Sequence, residues 1–471
     1  MNKISTLFGR KTVLPEIVPL STMSAAISEW TALYKNTVGD CNERSLNLAA
    51  GICSELSRLV TVEFSSEISG GSRADYLNRQ YQRVVKKARK FVEYACAQGG
   101  VILKPYPLNG EIGISIVLAD SFCPTDFSSD GEISGGIFSE TFKKDGFYYT
   151  RLEEHKLING KCIIRNLAYK SKLKNVQGKE IRLSEVDRWQ ELEPYCVIEN
   201  IKRPLFVYFK MPAANTVDIN SPLGVSAFSR AVNLIKDANT QYKNLLWEFE
   251  SGKRALYLDE CAIRQDDAGN SQIPDKRLYK MLSTGDDTLF KDWSPIIRDS
   301  EYLEGLDRIL RSIEFNCGLA YGTLSTLQFT DKTAEEIKAS KQRSYTTVCD
   351  IQSALKRALE ELIEVLDIYC DIYDFAPRGK YTVSFNFDDS IVCDRTREFS
   401  EKITLLENGI IAPWEMRAWY LNEQSEEAKN RIGEINEILL KILSRPSRYS
   451  ESLIIGDQSL NKVSSPVESI L

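Results

Sequence analysis

Few residues in this sequence have the chemistry of a catalytic or metal-binding group. The chain contains one histidine, His155, and histidine is the commonest general base and nitrogen metal ligand in proteins. It lies in the stretch YYTRLEEHKLING, which alternates like an edge strand, so a structural or surface role is favoured. The neighbouring Glu153 and Glu154 do not complete a metal site with it, because adjacent strand residues face opposite sides.

A second cluster, Asp388, Asp389 and Asp394, could hold a divalent cation through its carboxylate oxygens. Acidic residues near a turn are more often solvated surface, so a metal-dependent nuclease is kept only as an alternative. The motifs GxxxxGK[ST], GxGxxG, HExxH and GxSxG, which mark nucleotide, dinucleotide, zinc-protease and hydrolase sites, are absent. The sequence therefore predicts a protein that is not an enzyme and uses no cofactor or metal.

Composition and charge are ordinary for a globular protein. The 471 residues are enough for about two to four domains, and the net charge of −6 disfavours DNA binding by the whole surface, although a local patch could bind. The 11 cysteines include no CxxC pair, which argues against a disulfide framework and a cysteine zinc site and fits a reducing cytoplasm. Pro15 and Pro19 interrupt any signal-peptide pattern, and no apolar run is long enough to predict a membrane span.

The first half of the chain predicts helices followed by a β module. Apolar spacing of three and four indicates helices over 24–68, and 74–100 is predicted to be one helix that stops at Gly99. Alternating residues over 101–210, with Asn-Gly and Asp-Gly turns, predict an antiparallel meander. The helix at 74–100 carries a basic face, which is commonly only solvated but could contact phosphate or a partner protein: Arg79, Arg83, Lys86, Lys87, Arg89 and Lys90.

For the second half of the chain, the sequence predicts two helices joined by a short segment that contains strands, and then a very long helix. A helix is expected from Pro222 to Gly252, a strand-containing excursion over 253–298, and a second helix over 301–320. A loop of small residues follows, and the capping pair Thr333 and Glu336 starts a helix that would span roughly 60 Å. The remaining elements are expected to be a strand pair at 381–392, acidic helices over 395–443 and a disordered serine-rich tail at 444–471.

Two of these helices carry long apolar stripes. One stripe follows the long helix from Val348 to Tyr369. The other, in the helix expected at 222–251, includes Phe228, Val232, Ile235, Tyr242, Leu245 and Phe249. A single chain is not expected to cover both stripes, so the sequence predicts an obligate oligomer in which identical subunits pack around a closed ring.

The order of elements resembles the portal proteins of tailed bacteriophages, of the type found in siphophages and Gram-positive prophages. The resemblance covers most of residues 24–440, and none of the stretches that carry it is a catalytic signature. They are GGVILKPY, VLADSFCPTDFSSDGEI, YYTRLEEHKL, SPLGVSAFSRAVNLIKDANTQYKNLLWEFESGKRALYLD, DKTAEEI and NGIIAPWEMRAWYLNEQSEEA.

The resemblance implies an α+β portal fold. It divides the chain into wing (1–220 and 373–394), stem helices (221–252 and 299–318), clip (253–298), tunnel loop (319–332), long helix (333–372), crown helices (395–443) and flexible tail (444–471).

The resemblance also implies a function. Portal proteins form a ring, expected here to be a dodecamer, at one vertex of the virion capsid after assembly in the host bacterial cytoplasm. Double-stranded DNA passes through the ring, whose other partners are the terminase large subunit, a head-completion or adaptor protein, the scaffold and the major capsid protein. No membrane is involved. The alternative among phage proteins is another head protein or adaptor protein. A generic coiled-coil scaffold is disfavoured because the sequence also predicts the β module at 101–210.

The same resemblance assigns a role to the small-residue loop. A loop around moving DNA should touch phosphates weakly, because each lysine–phosphate contact adds affinity and a heavily basic lining would hold the duplex in place. The DNA-facing residues are expected to be Ser325, Thr326, Gln328, Thr330, Lys332, Lys338 and Lys341. For the three lysines, an ordinary solvated role is an equally weighted alternative.

Overall fold

The computed structural model has an α+β fold, as the sequence predicts. The chain divides into two compact units, Met1–Asp388 and Asp389–Leu471. The structure describes residues 21–37, 44–108, 110–128, 131–174, 176–253, 255–258, 279–281, 290–293, 295–326, 334–387, 395–421, 423 and 425–443.

Among the described residues, the first unit begins with four helices: α1 (Ser21–Tyr34), α2 (Leu48–Thr61), α3 (Ser72–Val85) and α4 (Ala88–Gln98). The single helix predicted over 74–100 is therefore wrong, because the backbone leaves helical geometry at Lys87, with φ −105° and ψ 6°. Gly99 ends α4 in the left-handed conformation, at φ +87°, as its position predicts.

A strand replaces the end of the helical region predicted at 24–68. Strand β1 (Ser65–Gly70) pairs antiparallel with β14 (Tyr381–Asn386), and the hydroxyls of Ser69 and Thr382 lie 2.9 Å apart across 313 residues of sequence. Of the strand pair predicted at 381–392, the first strand is observed as β14, but its hydrogen-bonded partner is β1 and not a second strand within 381–392. Most of the predicted second strand lies outside the described residues.

Two antiparallel sheets form the predicted β module. The first has the order β10-β2-β3, from β2 (Gly100–Leu108), β3 (Glu111–Leu118) and β10 (Val207–Lys210). The second has the order β4-β5-β6-β7-β8, with β9 also on β7, from β4 (Phe122–Phe127), β5 (Ile133–Lys144), β6 (Phe147–Ile158), β7 (Lys161–Ser171), β8 (Lys179–Ile181) and β9 (Tyr195–Glu199). Asp145 and Asn159, each followed by glycine, have positive φ in the β5–β6 and β6–β7 turns, as the hairpin signals predict.

The helix predicted from Pro222 begins ten residues later. Helix α5 (Val232–Ser251) follows a single 3-10 turn at Ser229–Ala231. The segment before it is held against the end of α4 instead, since the Ser226 hydroxyl and the Ala227 amide both donate to the carbonyl of Cys96. A Cβ added to Gly224 would lie 2.0 Å from the carbonyl oxygen of Gly99, so this close approach needs glycine.

The elements after α5 follow the predicted order. A three-stranded sheet, β12-β11-β13, is built from β11 (Ala255–Leu258), β12 (Tyr279–Met281) and β13 (Phe290–Trp293). Helix α6 (Asp299–Cys317) comes next, and then α7 (Ala334–Tyr373), whose 40 residues match the predicted long helix.

The apolar stripe of α7 and most of the stripe of α5 are buried within the chain. One continuous core buries the stripe of α7, including Ile351, Leu355 and Leu362, together with Phe228 and Ile235 from the other stripe. The prediction that a single chain leaves the stripes uncovered is therefore wrong for α7, whose stripe the rest of the first unit buries, and holds on α5 only for Tyr242 and Phe249.

The described part of the second unit contains three helices, α8 (Arg395–Glu407), α9 (Pro413–Leu421) and α10 (Ser425–Leu443), where the sequence predicts helices over 395–443. Ala428 of α10 is fully buried, and the ammonium of Lys429 lies 4.2 Å from the centroid of the Trp414 ring. The tail at 444–471 lies outside the described residues.

Helix α3 contains a buried amide without hydrogen-bond partners, which leads to a stability prediction. Gln80 is fully buried, and neither its Oε1 nor its Nε2 has a partner in the described part of the chain. Because an unpaired buried polar group costs about 1–3 kcal/mol, we expect Gln80→Leu to raise the free energy of unfolding by about 1–2 kcal/mol. Urea unfolding of the full chain measures this change.

The matched control is Gln82→Leu on the same helix. The Gln82 amide donates a 2.7 Å hydrogen bond to the carbonyl of Ser66, so its replacement should lower stability. Equal destabilisation by both substitutions would contradict the account of Gln80.

Candidate functional site

Helices α5 and α6 form an antiparallel hairpin, which is the framework of the candidate site. At the end of the hairpin where α5 stops and α6 begins, the Glu248 carboxylate of α5 accepts hydrogen bonds from the backbone amide and the guanidinium of Arg298, which precedes α6. These hydrogen bonds and the charge of Arg298 lower the pKa of Glu248. A Cβ added to Gly252 would lie 3.1 Å from Ile297 Cγ1, so the ends of the two helices are in close contact.

The other end of α6 leads directly into the small-residue loop. Gly318 ends the helix in the left-handed conformation, with φ +68°, and the Leu319 amide donates to the Glu314 carbonyl at 2.9 Å. A Cβ at Gly318 would lie 2.3 Å from Thr347 Oγ1 of α7. The loop therefore leaves α6 in contact with the long helix, and this position excludes any larger residue.

A single buried carboxylate organises residues 322–325 of the loop. Glu314 is fully buried, and its Oε1 accepts hydrogen bonds from the backbone amides of Gly322, Leu324 and Ser325 at 3.1, 2.6 and 2.9 Å. The Ser325 hydroxyl donates to Glu314 Oε2 at 2.8 Å. Hydrogen bonds to a charged acceptor are stronger than neutral ones, so this carboxylate fixes the backbone of the loop.

Two further contacts hold the loop on either side of Glu314. The Thr326 amide donates to Asp307 Oδ1 at 2.7 Å, and Asp307 also pairs with Arg311 at 2.9 Å. The Arg343 guanidinium of α7 lies 4.6 Å from the centroid of the Phe315 ring and 5.3 Å from that of the Tyr321 ring. Both distances are within the range of a cation–π contact. Loop residues 318–326 are thus tied to both α6 and α7.

The predicted DNA-facing residues fall into three groups. Ser325 is buried and its hydroxyl is bound to Glu314, which differs from the prediction that it faces DNA, whereas Thr326 is exposed. Lys338 and Lys341 lie on α7, whose backbone alone is described there. The rest of the predicted set, Gln328, Thr330 and Lys332, lies outside the described residues.

Sequence reasoning missed Glu314, although the sequence contains a signal for it. Glu314 follows Leu310 by four residues and precedes Cys317 by three, so it lies on the same side of α6 as the buried Cys317. A charged residue on the apolar side of a helix needs a polar partner, and a loop of small residues just after the helix can supply backbone amides.

The stem residues predicted to pack between subunits are mostly buried within the chain. Tyr242 is half-buried and Phe249 is 42% exposed, while Trp247, which was not predicted, is 62% exposed. The remaining four, Phe228, Val232, Ile235 and Leu245, are buried. The exposed apolar side chains of α5 therefore lie in its last turns.

The candidates for chemistry, His155 and Glu153, lie in a buried polar cluster with Lys104. His155 lies on β6, between β5 and β7, so the edge-strand prediction is wrong. Its Nε2 lies 2.7 Å from Glu153 Oε1, because residues two apart on a strand share a face, and Lys104 Nζ lies 2.6 Å from Glu153 Oε2. Burial alone would raise the pKa of Glu153, but the hydrogen bond with His155 and the charge of Lys104 hold it well below its usual range. The cluster lies inside the β module, and His155 Nδ1 has no hydrogen-bond partner in the described part of the chain.

No group of three His, Cys, Asp or Glu side chains within the described ranges could hold a metal ion. Asp388, Asp389 and Asp394 lie outside those ranges. Most of the cysteines that the structure describes are buried, and burial raises the pKa of the Cys96 and Cys317 thiols to about 12.

Comparison with known proteins decides the family. The family model "Phage portal protein, SPP1 Gp6-like" matches residues 78–438. The chain belongs to this family. The predicted resemblance to phage portal proteins is thereby confirmed, and the match includes the α5–α6 hairpin, the loop and α7.

A solved structure, "Neck of native GTA particle computed with C12 symmetry", is 11% identical, with 88% of this chain and 96% of that chain covered and a TM-score of 0.40. A search of curated proteins finds no significant match. In the described part of this portal protein, no helix has the length and apolar character needed to cross a membrane.

Proposed function

We propose that the chain assembles into a closed ring at one vertex of a phage capsid and that the axial channel conducts double-stranded DNA. The genome would enter through this channel during packaging and leave through it during ejection. We expect about twelve subunits, related by a single rotation axis. The observation that carries this proposal is the match of residues 78–438 to a phage portal family. That match gives no support to an adaptor protein or a nuclease.

Two exposed apolar side chains on α5 support a ring rather than a two-fold dimer. Trp247 and Phe249 are both exposed and are two residues apart, so they point about 200° apart around the helix. A ring needs two different contact surfaces on each subunit, one for each neighbour. Apolar residues on opposite sides of one helix fit that requirement.

The remaining partners follow from the same assignment. The excursion at 253–298 would be the clip, which docks the terminase large subunit and later the head-completion or adaptor protein. The wing and crown would contact the scaffold and the major capsid protein during assembly in the host bacterial cytoplasm. The ring itself would be a structural conduit without enzymatic activity, since the motor protein would supply the energy for DNA movement.

The anchored loop would present its tip to the DNA. Glu314 and Asp307 fix the backbone up to Thr326, so the residues that follow start from a defined position. We propose that Thr326 and the tip at 327–332 meet the duplex, together with lysines at the start of α7. A few lysines would give weak contacts that do not stop the DNA from sliding.

The tip lysines provide the test of this role. We expect the triple variant Lys332→Ala, Lys338→Ala, Lys341→Ala to assemble normally but to package several-fold less DNA. Each lost phosphate contact should reduce the slope of log K for DNA binding against log salt concentration by about one. Nuclease-protected DNA in capsids assembled with the variant measures the packaging defect.

A matched control replaces Lys172, Lys174 and Lys179, exposed lysines of the β module that form no ion pair in the described part of the chain. The control should package DNA like the wild type. Unchanged packaging by the tip variant would remove the DNA-contact role from these lysines.

A further inference from the structure

We propose that the basic surface of helices α3 and α4 binds the phosphate backbone of double-stranded DNA, as a contact distinct from the tunnel loop. The surface consists of six exposed side chains: Arg79, Arg83, Lys86, Lys87, Arg89 and Lys90. This inference rests on the proposed function in one respect, namely that DNA is the polyanion that the assembled protein meets.

The six cations form one continuous surface. Arg79, Arg83 and Lys86 recur at intervals of four and three residues, which places them on one side of α3. Lys86 keeps helical geometry at φ −59° and ψ −20°, and Lys87 directly precedes α4. Arg89 then lies in the first turn of α4. The basic residues of the two helices therefore lie next to one another at the break between α3 and α4.

Acidic residues neutralise little of this surface. The stretch 76–92 contains no Asp or Glu, although the whole chain has a net charge of −6. Arg83 pairs with Glu111 at 2.8 Å, and Glu93, the next acidic residue along the chain, accepts a hydrogen bond from Tyr34.

Three of the six cations have no charge partner among the described residues. For Lys86, Lys87 and Arg89, the part of the chain that the structure describes provides no ion pair. Their positive charge is therefore available to a ligand from outside the chain.

The start of α4 places helix amides beside these side chains, next to the negative C-terminal end of α3, which ends at Val85. Lys87, the residue that caps α4, makes no side-chain hydrogen bond to the helix. The first amides of the helix therefore lack an intrahelical partner and carry the positive end of the helix dipole. Amides of this kind bind phosphate groups when basic side chains flank them.

The chemistry of the surface favours nucleic acid over an acidic protein. Protein interfaces usually contain an apolar centre surrounded by polar residues. Among the described residues from Ser72 to Gln98, no large apolar side chain is exposed. A surface of lysine and arginine alone matches a phosphate backbone, whose recognition is independent of base sequence and suits a protein that handles a whole genome.

The test compares DNA binding by the full chain and by the variant Lys86→Gln, Lys87→Gln, Arg89→Gln. All three residues are exposed, so the fold should be preserved. Binding to a fluorescent 30-base-pair duplex is measured by anisotropy between 50 and 200 mM KCl. We expect at least about a tenfold increase in Kd at the lowest salt and a decrease of about 3 in the slope of log K against log salt.

The control is Lys172→Gln, Lys174→Gln, Lys179→Gln, which removes the same charge from the β module and should keep the wild-type slope. An unchanged Kd and slope in the patch variant would overturn the proposal. Loss of polyglutamate binding with unchanged DNA binding would also overturn it and would indicate an acidic protein partner. Ring formation is scored separately by electron microscopy, so a slope change without rings would support this surface while contradicting the proposed conduit.

Discussion

Replacing Glu314 with alanine is expected to release the loop at 319–326 and to abolish productive packaging. The substitution leaves the Leu324 and Ser325 amides and the Ser325 hydroxyl without their acceptor, whereas the Gly322 amide keeps Ser325 Oγ at 3.2 Å. Buried unpaired donors cost about 1–3 kcal/mol each, and opening of the loop to water limits the total, so we expect a local loss of about 3 kcal/mol. Amide exchange at Leu324 and Ser325 should become on the order of 100-fold faster.

Three variants separate the role of the carboxylate from a general effect of mutation. Ser325→Ala removes the hydrogen bond that the hydroxyl donates to Glu314 and the longer one that it accepts from the Gly322 amide, which keeps Glu314 Oε1, so it should cost about 1 kcal/mol. Glu314→Gln keeps one acceptor oxygen and should fall between Ser325→Ala and Glu314→Ala. Glu301→Ala, at an exposed position in the first turn of α6, should leave exchange in the loop unchanged. Wild-type exchange rates in Glu314→Ala would show that the carboxylate does not hold the loop.

Replacing Arg73 with methionine is expected to lower the free energy of unfolding of the first unit by about 3 kcal/mol. The guanidinium is only 2% exposed and lies 2.6 Å from Asp367 Oδ1 and 2.7 Å from Asp371 Oδ1. It also donates to the carbonyls of Asp367 and Ala376. Methionine keeps the apolar volume but removes these hydrogen bonds where α7 ends, and Asp371 then keeps only its ion pair with Arg378, at 3.1 Å.

The expected loss is at the lower end of the range for broken buried ion pairs, because both carboxylates are about one-third exposed and water can hydrate them. Arg73→Lys should retain part of the stability, since a lysine lacks the planar fork that reaches several acceptors at once. Thermal unfolding of the full chain measures both variants, with the exposed Arg58→Met as the control. A loss for Arg73→Met no larger than that of the control would contradict this assignment.

Elements with strong local signals were predicted well from the sequence. The long helix α7, with its apolar stripe from Val348 to Tyr369, differs from its prediction by about one residue at either end. The Asp145–Gly146 and Asn159–Gly160 turns are also correct, because positive φ favours these residue types wherever they occur. Periodicity and turn chemistry act over a few residues, so the sequence alone reveals them.

Elements that depend on distant contacts were not predicted. Strand β1 forms because β14 supplies its hydrogen-bond partner from far along the chain, and segment 221–228 stays non-helical because it hydrogen-bonds to the end of α4. The site shows the same division. The position of the loop was predicted, whereas its carboxylate anchor, Glu314, depends on how the chain folds back after Gly318.

The measurement that tests the account most directly is the mass of the purified chain in solution, combined with negative-stain images of the same particles. The account predicts a ring of about twelve subunits with a central hole wide enough for a DNA duplex. A chain that stays monomeric at high concentration and in the presence of its co-expressed scaffold protein would contradict the ring, and with it the proposed conduit for DNA.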